Sequence, residues 1–270
     1  MRKTKTIFSL WKNLNKFMKN IIIILGLFSL FLFPNCEKDI VEINTAKQPE
    51  GTAVLIQIIT VSDVNSNEAQ TTTDFEYFNN GNLEKTSYSH SDGTILSYSN
   101  YEYNSENQLE LIVDYTANSN EISGYLNLRT HEFEYLANGL KSKETINHPV
   151  IGTLEYISFD YNNEDDLIKK TFFNSDNHLV NYVIYDYDEF GNILKGTTYS
   201  NTDEQTGETL HYYRNNMLFK SDVYILGKDK VHLEEVLKTY DDDNNLIMLQ
   251  SNILWLASSR SSSVLKFIYE

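Results

Sequence analysis

The chain has 270 residues, of which 41% are hydrophobic, a length that suits one large all-β domain or two small ones. It contains 19 tyrosines but only 3 prolines, a composition typical of β-strands. Removing residues 1–35, which hold six basic residues and no acid, leaves 16 basic against 38 acidic residues, a formal charge of −22. Such a surface repels phosphate backbones and therefore excludes a nucleic-acid partner. Solubility is the simplest role for this charge, and attraction of cations or of a basic partner is the alternative.

The first predicted element is an export signal in residues 1–35. Its basic residues precede a run of thirteen mostly apolar residues, 21–33. At about 1.5 Å per residue, a helix of this run would be roughly 20 Å long, too short for a hydrocarbon core of about 30 Å. A basic flank followed by a short apolar run is typical of a secretory signal. Met18 offers a second start that would give a signal of ordinary length.

The only cysteine, Cys36, lies three residues after that run, so a disulfide within the chain is impossible. The segment Phe33-Pro34-Asn35-Cys36 resembles the lipobox of Gram-negative bacterial lipoproteins. That resemblance implies acylation of the Cys36 thiol, cleavage before it and acylation of the new amine, which makes the membrane a partner through the N-terminal lipid. An ordinary cleaved signal that leaves a free thiol is the alternative. Residues 36–52 are then a lipidated tether reaching roughly 20–25 Å as a flexible coil.

The residues after Cys36 indicate where in the cell envelope the protein is expected to be. Residue 37 is Glu, not the Asp of an inner-membrane retention signal, and Glu37-Lys38-Asp39 resembles the acidic export tags of surface lipoproteins. The resemblance implies a lipid-anchored protein of the outer membrane, exposed at the cell surface or facing the periplasm.

Residues 53–270 form the third predicted unit, a β-hairpin repeat domain. A tyrosine, a polar turn and a Leu or Ile recur, with tyrosine spacings of 26, 32, 26, 26, 25 and 28 residues. The copies contain Tyr77, Gly81, Asn82 and Leu83; Tyr103 and Leu109; Tyr135 and Gly139; Tyr161 and Leu167; Tyr187, Asp188, Gly191, Asn192 and Ile193; Tyr212; and Tyr240 and Leu246. The chain ends on another aromatic strand, 267–269.

Each repeat predicts two strands and two turns. In stretches such as Phe75-Glu76-Tyr77, a period of two places both rings on one face and the carboxylate on the other. The Asn, Asp and Gly residues that follow favour a tight reversal. We therefore expect an all-β fold, an antiparallel meander of fourteen to sixteen strands that forms a long curved or coiled sheet with aromatic residues on its concave side. A half-closed sheet is an alternative, whereas the charged side chains at outward positions argue against a transmembrane barrel.

The copy Tyr187-Asp188-x-x-Gly191-Asn192-Ile193 resembles the tyrosine–aspartate (YD, or RHS-type) repeat. The resemblance extends over residues 74–269 as a degenerate array, with a longer period than the roughly twenty residues usual for that family. It implies an extracellular β-repeat sheet and no particular chemistry.

No motif predicts catalysis, a cofactor or a metal site. The chain has no zinc-ligand spacing, no nucleophile elbow and no phosphate-binding glycine loop. The six histidines fall in unrelated turns and strands, and adjacent acids such as Glu234-Glu235 should point to opposite faces. Asp186-x-Asp188 with Gly191 resembles part of a calcium loop, but Phe190 stands where an oxygen ligand is needed.

We therefore expect no enzyme. The sequence favours a lipid-anchored binding or scaffold module for an envelope protein or a glycan. A purely structural envelope protein without a small ligand is one alternative. A carbohydrate-binding lipoprotein is another, with Trp255 as the best candidate for an exposed ring.

Overall fold

The computed structural model describes residues 54–61, 68–118, 124–227, 229–254 and 261–269. These residues form sixteen β-strands, the upper limit of the predicted number. In chain order the strands are β1 (Leu55–Val61), β2 (Ala69–Tyr77), β3 (Leu83–His90), β4 (Ile95–Tyr103), β5 (Leu109–Ala117), β6 (Tyr125–Tyr135), β7 (Lys141–His148), β8 (Gly152–Tyr161), β9 (Leu167–Asn174), β10 (Leu179–Tyr187), β11 (Ile193–Ser200), β12 (Gln205–Arg214), β13 (Met217–Leu226), β14 (Lys230–Tyr240), β15 (Leu246–Ile253) and β16 (Ser261–Tyr269).

The strands form a closed barrel. Each strand pairs antiparallel with the next, and β1 pairs with β16, where Ile58 lies opposite Phe267 and Val61 opposite Val264. The antiparallel meander is thus confirmed, but the long curved or coiled sheet is wrong because the sheet closes on itself. Closure follows from accumulated twist and curvature and satisfies the backbone groups of both edges.

Residue alternation separates an inner from an outer wall. On β10, Val183 and Tyr185 are buried, whereas the residues that alternate with them, Ile184 and Asp186, are exposed. The barrel therefore has an inner wall of apolar and some charged groups, although adjacent residues are both buried on a few strands, such as Ser221 and Asp222 on β13. The alternation expected for the aromatic pairs, with both rings on one face and the acid on the other, is confirmed on this strand.

The repeat turns all lie at one end of the barrel, which we call the tyrosine rim: residues 78–82, 104–108, 136–140, 162–166, 188–192, 215–216 and 241–245. The turn after β10 is representative. Asp188 donates its backbone N–H to the carbonyl of Asn192, and Gly191 donates to the carbonyl of Asp188. The Asp188 carboxylate accepts the N–H groups of Phe190 and Asn192, both at 2.9 Å. Gly191 has φ +80°, the left-handed conformation that this turn requires.

A register shift marks the end of nearly every even-numbered strand at this rim. Tyr187 pairs with Ile193 after a shift at Asp186, and Tyr77 pairs with Leu83 after a shift at Glu76. Such a bulge adds one residue to one strand of a pair. As a result, the tyrosine and the Leu or Ile of the motif both reach the inner wall.

Candidate functional site

The tyrosine rim is lined inside by the repeat tyrosines. The hydroxyl of each donates to the backbone carbonyl at or near the start of the preceding strand, at 2.7–3.0 Å. The pairs are Tyr77 with Leu55, Tyr135 with Leu109, Tyr161 with Lys141, Tyr187 with Leu167, Tyr213 with Ile193, Tyr240 with Leu218 and Tyr269 with Leu246. Tyr103 holds the equivalent position on β4, and its buried hydroxyl lies beside the backbone of Leu83 at the start of β3.

These tyrosines lie close enough to influence each other's ionisation. Burial, followed by the neighbouring Tyr269 and Tyr101, raises the pKa of Tyr77 to about 12. Burial, followed by Glu144 and Tyr161, raises the pKa of Tyr135 to about 12. Because Tyr77 and Tyr269 stand on either side of the β1–β16 seam, the array of tyrosines is continuous across it. The raised pKa values keep the phenols of Tyr77 and Tyr135 neutral, as hydrogen-bond donors, at any physiological pH.

The sixth repeat differs from the sequence assignment. Tyr213 makes the bond to Ile193, whereas Tyr212, which the motif had been aligned on, lies on the outer wall with 38% of its surface exposed. Both residues follow His211, and the sequence alone gives no preference between two adjacent tyrosines. With Tyr213 in the motif, the last two spacings become 26 and 27 residues, closer to the other repeats.

The remaining motif residues build the turns and the inner wall. The side chains of Leu83, Leu109 and Ile193 are buried, and those of Leu167 and Leu246 are half-buried. Gly81 and Gly139 adopt φ +88° and +86°, equivalent to Gly191. Consecutive turns also touch, because the Asn82 amide donates to Asn107 at 2.7 Å. The motif residues therefore have a structural role: they shape one hairpin and connect it to its neighbour.

A buried cluster of charges lies on the inner wall between β4 and β8. Nδ1 of His131 lies 2.8 Å from Oε1 of Glu144, and its Nε2 lies 3.4 Å from Oδ2 of Asp114. Asp114 also accepts hydrogen bonds from Nε of Arg129 at 2.7 Å and from the hydroxyl of Ser99 at 2.6 Å. The imidazole of His131 thus bridges two carboxylates on neighbouring strands.

The environment of this cluster shifts its ionisation. Burial opposes the charged form of His131, but hydrogen bonds to Asp114 and Glu144 prevail and raise its pKa to about 8. Burial also opposes ionisation of Asp114, but hydrogen bonds from His131, Arg129 and Ser99 lower its pKa to about 2. Burial and the charge of Glu144 raise the pKa of Glu155. Every polar group of the triad Asp114–His131–Glu144 has a partner. The arrangement therefore keeps the proton on the His131 imidazole and does not present it to a substrate.

A second inner cluster lies between β12 and β15. Nδ1 of His211 lies 2.8 Å from the hydroxyl of Ser221, and the hydroxyl of Ser251 donates to Glu234. Burial and the nearby Lys238 lower the pKa of His211 to about 4. Burial raises the pKa of Glu234, which the hydrogen bond from Ser251 partly offsets. Glu234 faces inward and Glu235 outward, as expected for adjacent acids on a strand.

The outer wall carries rows in which an acid, a lysine and two rings follow one another across consecutive strands. In the clearest row, Lys143 pairs with Glu134 at 3.0 Å and lies 5.4 Å from the ring centre of Tyr156. Tyr156 in turn stacks on Phe173 at 4.5 Å. Two further rows are Lys85 with Tyr98 and Tyr115, and Lys169 with Tyr182 and Tyr199.

These rows place six aromatic rings outside the barrel, so the expectation that the aromatic residues line the concave side is only partly correct. It holds for the repeat tyrosines and for inward rings such as Tyr185. The lysine and the second ring come from strands on opposite sides of the first ring. Both faces of Tyr98, Tyr156 and Tyr182 are therefore already in contact with protein. Such cross-strand pairs stabilise a sheet.

A denser charged network covers the outer wall of β11–β14. Asp222 is nearly inaccessible and contacts Nζ of Lys220 and Nε2 of His232, each at 3.1 Å. Lys220 also pairs with Glu235 at 3.1 Å, and Lys195 with Glu208 at 3.5 Å. The acids and bases of this region neutralise one another.

Sequence reasoning missed both inner clusters, because Asp114, His131 and Glu144 are far apart in the chain and follow no motif spacing. The only available signal was an ionisable residue at an inward position of a strand. In the described part of the chain, no group of three His, Cys, Asp or Glu residues is arranged to hold a metal ion. Cys36 and Trp255 lie outside the described residues, as does the predicted tether. Within the described ranges, no helix is long and apolar enough to cross a bilayer.

The fold and these clusters define a class: a closed sixteen-stranded β-barrel of tandem hairpins, braced by tyrosines at one rim. No protein-family model matches the chain, and no curated protein matches it. Among solved structures it is similar to a porin-like protein from Bacteroides uniformis, at 11% identity and a TM-score of 0.52, over 80% of this chain and 98% of that one. At this identity the similarity concerns the fold alone.

Two weaker similarities have TM-scores below 0.5. A porin-like protein from Bacteroides vulgatus gives 0.42 at 12% identity, over 80% of this chain and 98% of that one. The Tc holotoxin pore of Photorhabdus luminescens gives 0.34 at 15% identity, over 74% of this chain. The match covers only 10% of that toxin chain.

Proposed function

We propose that the chain is a lipid-anchored protein of the Gram-negative outer membrane whose barrel stands in water beside the bilayer as a non-enzymatic binding or scaffold module. The observation that carries this proposal is the charged outer wall. Acids and lysines occupy outward positions on most strands, in pairs such as Glu76 with Lys85 and Lys195 with Glu208. A water-exposed barrel accommodates these charges at no cost.

A membrane-spanning pore is the alternative function that the similarity to a porin-like protein raises. Such a barrel needs an apolar outer band about 25 Å tall, and a lysine at the bilayer midplane costs roughly 2–4 kcal/mol. Lys143, Lys169, Lys195 and Lys220 all lie on the outer wall, most of them paired with acids. The charged outer wall therefore favours a barrel that an N-terminal lipid tethers over one that spans the bilayer.

The absence of a catalytic function is part of the same proposal. His131 and Glu144 are buried, Asp114 is half-buried and is hydrogen-bonded by Arg129 and Ser99, and His211 is buried beside Ser221 with a lowered pKa. A general base needs access to a substrate, which these inward, inaccessible side chains lack. Several exposed acids of the outer wall, such as Glu76 and Glu134, are engaged by lysines.

Carbohydrate binding is a second candidate because aromatic rings do face outward. Sugars stack on the open face of a ring, and Tyr156 and Tyr182 have both faces in contact with neighbours. Only the last ring of a row, such as Phe173 or Tyr199, has a side without a stacked partner in its row. This geometry allows a glycan to bind at the end of a row but not along it.

The anchor can be tested in a Gram-negative host that expresses the full chain with an alkyne-labelled fatty acid. We expect label on the wild type, none on Cys36→Ser, and accumulation of the precursor in globomycin. Processing that resists globomycin, with no acyl mass on residue 36, would contradict the proposed anchor. Protease treatment of intact cells then separates exposure at the cell surface from a periplasmic location.

A binding module and a purely structural protein differ in whether a specific partner exists. A glycan array and a pull-down of envelope proteins, each with a matched charge-rich control protein, should give a saturable partner for a binding module. Failure of both supports the structural alternative.

A further inference from the structure

The turn between β7 and β8 exposes two large aliphatic residues at the end of the barrel opposite the tyrosine rim. Val150 is 83% exposed and Ile151 is 70% exposed, more than any other large aliphatic side chain of the described residues. The turn is fixed rather than loose. The N–H of Val150 donates to Nδ1 of His148 at 3.1 Å, and Gly152 adopts φ +78°.

Further aliphatic side chains extend this turn into a patch. Leu128 on β6 and Leu154 on β8 lie on the outer wall at the same end, each more than a third exposed. The pairing of Thr130 with Asn147, and of Asn147 with Thr153, places the three strands side by side here. We call Leu128, Val150, Ile151 and Leu154 the apolar tip. A contiguous exposed apolar patch on a soluble surface marks an interaction site more often than single scattered residues do.

The charges around the apolar tip are acidic. Glu132 lies on the outer wall of β6 next to it, and Asp176 lies in the β9–β10 turn along the same end of the barrel. Neither forms an ion pair within the described ranges, whereas Glu134, farther along β6, is paired with Lys143. Glu132 accepts a hydrogen bond from the Asn147 amide at 2.9 Å, which leaves its negative charge in place. An apolar centre with such acids at its border is complementary to an apolar surface with basic residues around it.

The apolar tip and the point where the chain enters the barrel are at opposite ends. The strand β1 begins at Leu55, whose carbonyl accepts the Tyr77 hydroxyl, so the chain enters the barrel at the tyrosine rim. The apolar tip lies at the other end.

We propose that the apolar tip docks a partner protein through an apolar segment flanked by lysine or arginine. This inference rests on the proposed binding function and adds the class of partner. The bordering acids disfavour an anionic lipid surface, and they would oppose one another if a second copy of this chain docked on the same patch. Glu132 and Asp176 thus select among the three possible occupants.

The probe is a strand-forming peptide in which leucine alternates with lysine, compared with one in which leucine alternates with glutamate. The full chain is held in phosphatidylcholine nanodiscs if it is acylated, and in buffer if it is not. Empty nanodiscs provide the baseline for biolayer interferometry. We expect saturable binding of the lysine peptide and none of the glutamate peptide. We expect at least a tenfold loss of affinity for the lysine peptide in Val150→Ser with Ile151→Ser.

The matched control is Ile184→Ser with Leu194→Ser, two exposed aliphatic residues on the outer wall away from the apolar tip. This variant should keep the wild-type affinity, and Leu128→Ser with Leu154→Ser should lose it. Equal binding by all variants, or an equal loss in the control, overturns the docking site. Concentration-dependent self-association that the Val150 and Ile151 changes abolish would assign the patch to a second copy, and loss of vesicle binding would assign it to lipid. Either result overturns the inference and leaves the anchor at Cys36 untouched.

Discussion

At the scale of single residues, the pKa values of the two buried histidines shift in opposite directions because their neighbours differ. His131 lies between the carboxylates of Asp114 and Glu144, which stabilise the imidazolium. His211 has no carboxylate partner, so burial, followed by the charge of Lys238, lowers its pKa and favours the uncharged ring. Both face the inner wall, so burial alone does not decide the charge of a histidine here.

The pKa of His131 predicts a loss of stability at alkaline pH. Because the folded-state pKa of about 8 exceeds the ordinary 6.5, its contribution is complete below pH 6.5 and disappears as the pH rises through 8. The shift corresponds to about 2 kcal/mol. We expect the free energy of unfolding to fall by this order between pH 6 and pH 9 in urea titrations.

Two variants isolate the source of this pH dependence. His131→Gln should flatten the profile between pH 6 and pH 9, whereas His178→Gln, in an exposed turn, should retain the wild-type slope. An unchanged slope in His131→Gln would show that other groups titrate in this range. The residual slope below pH 6.5 reports on His211, whose lowered pKa makes stability fall as the pH decreases towards 4.

Sequence reasoning could place these residues on strands but could not assemble them. Alternation predicts that Phe75 and Tyr77 share a face, because period two is a local property. The contact of Asp114 with His131 depends on the register of β5 against β6, which includes a shift between Asp114 and Tyr115. A one-residue change of register moves every side chain to the other face, so a cluster across strands is not readable from one strand.

At the scale of the hairpin, the repeat tyrosine ties the end of one strand to the beginning of the preceding one. We expect Tyr187→Phe to lose about 1 kcal/mol of stability, because the carbonyl of Leu167 loses its donor in a partly buried place. Tyr88→Phe, at an exposed position with no such bond in the structure, is the control. Chemical denaturation of both variants measures the difference, and equal midpoints would contradict the role of the hydroxyl.

The turn of the hairpin depends on one left-handed residue. Gly191 has φ +80° with open space around its Cα, so strain rather than collision limits its replacement. We expect Gly191→Ala to cost about 1 kcal/mol. Gly191→Asn should cost clearly less, because Asn107 and Asn244 occupy the equivalent turn position at φ +65° and +67°. Thermal melts in which the Asn variant is the less stable of the two would refute this account.

At the scale of the whole molecule, the repeat pattern predicts the number and direction of strands but not the closure. The strands β2 to β15 follow the motif, and their antiparallel order is a consequence of short turns. The strand β1, Leu55–Val61, precedes the first tyrosine and has no repeat signature. It provides the partner for β16, whose final tyrosine bonds back to β15. Whether the two edges meet depends on accumulated twist and bend, which no single repeat encodes.

The seam between β1 and β16 is therefore the feature that separates a barrel from the coiled sheet of the sequence expectation. Ile59 lies opposite Lys266, and Lys266 lies opposite Met248 on β15. We expect Ile59→Cys with Lys266→Cys to form a disulfide in the fragment 53–270, which contains no other cysteine. Directly paired residues are about 5 Å apart at Cα, within the range that a disulfide bridges.

The control pair is Ile59→Cys with Met248→Cys, which lie two strand spacings or roughly 10 Å apart and should not cross-link. In an open coiled sheet, β1 and β16 are opposite edges, so neither pair would form efficiently. The mobility difference on a non-reducing gel and the mass of the linked peptides distinguish these outcomes. Because the linked ends enclose more than 200 residues, closing the seam should also raise the midpoint of chemical denaturation. A cross-link that forms without any stabilisation would indicate that β1 and β16 meet only transiently.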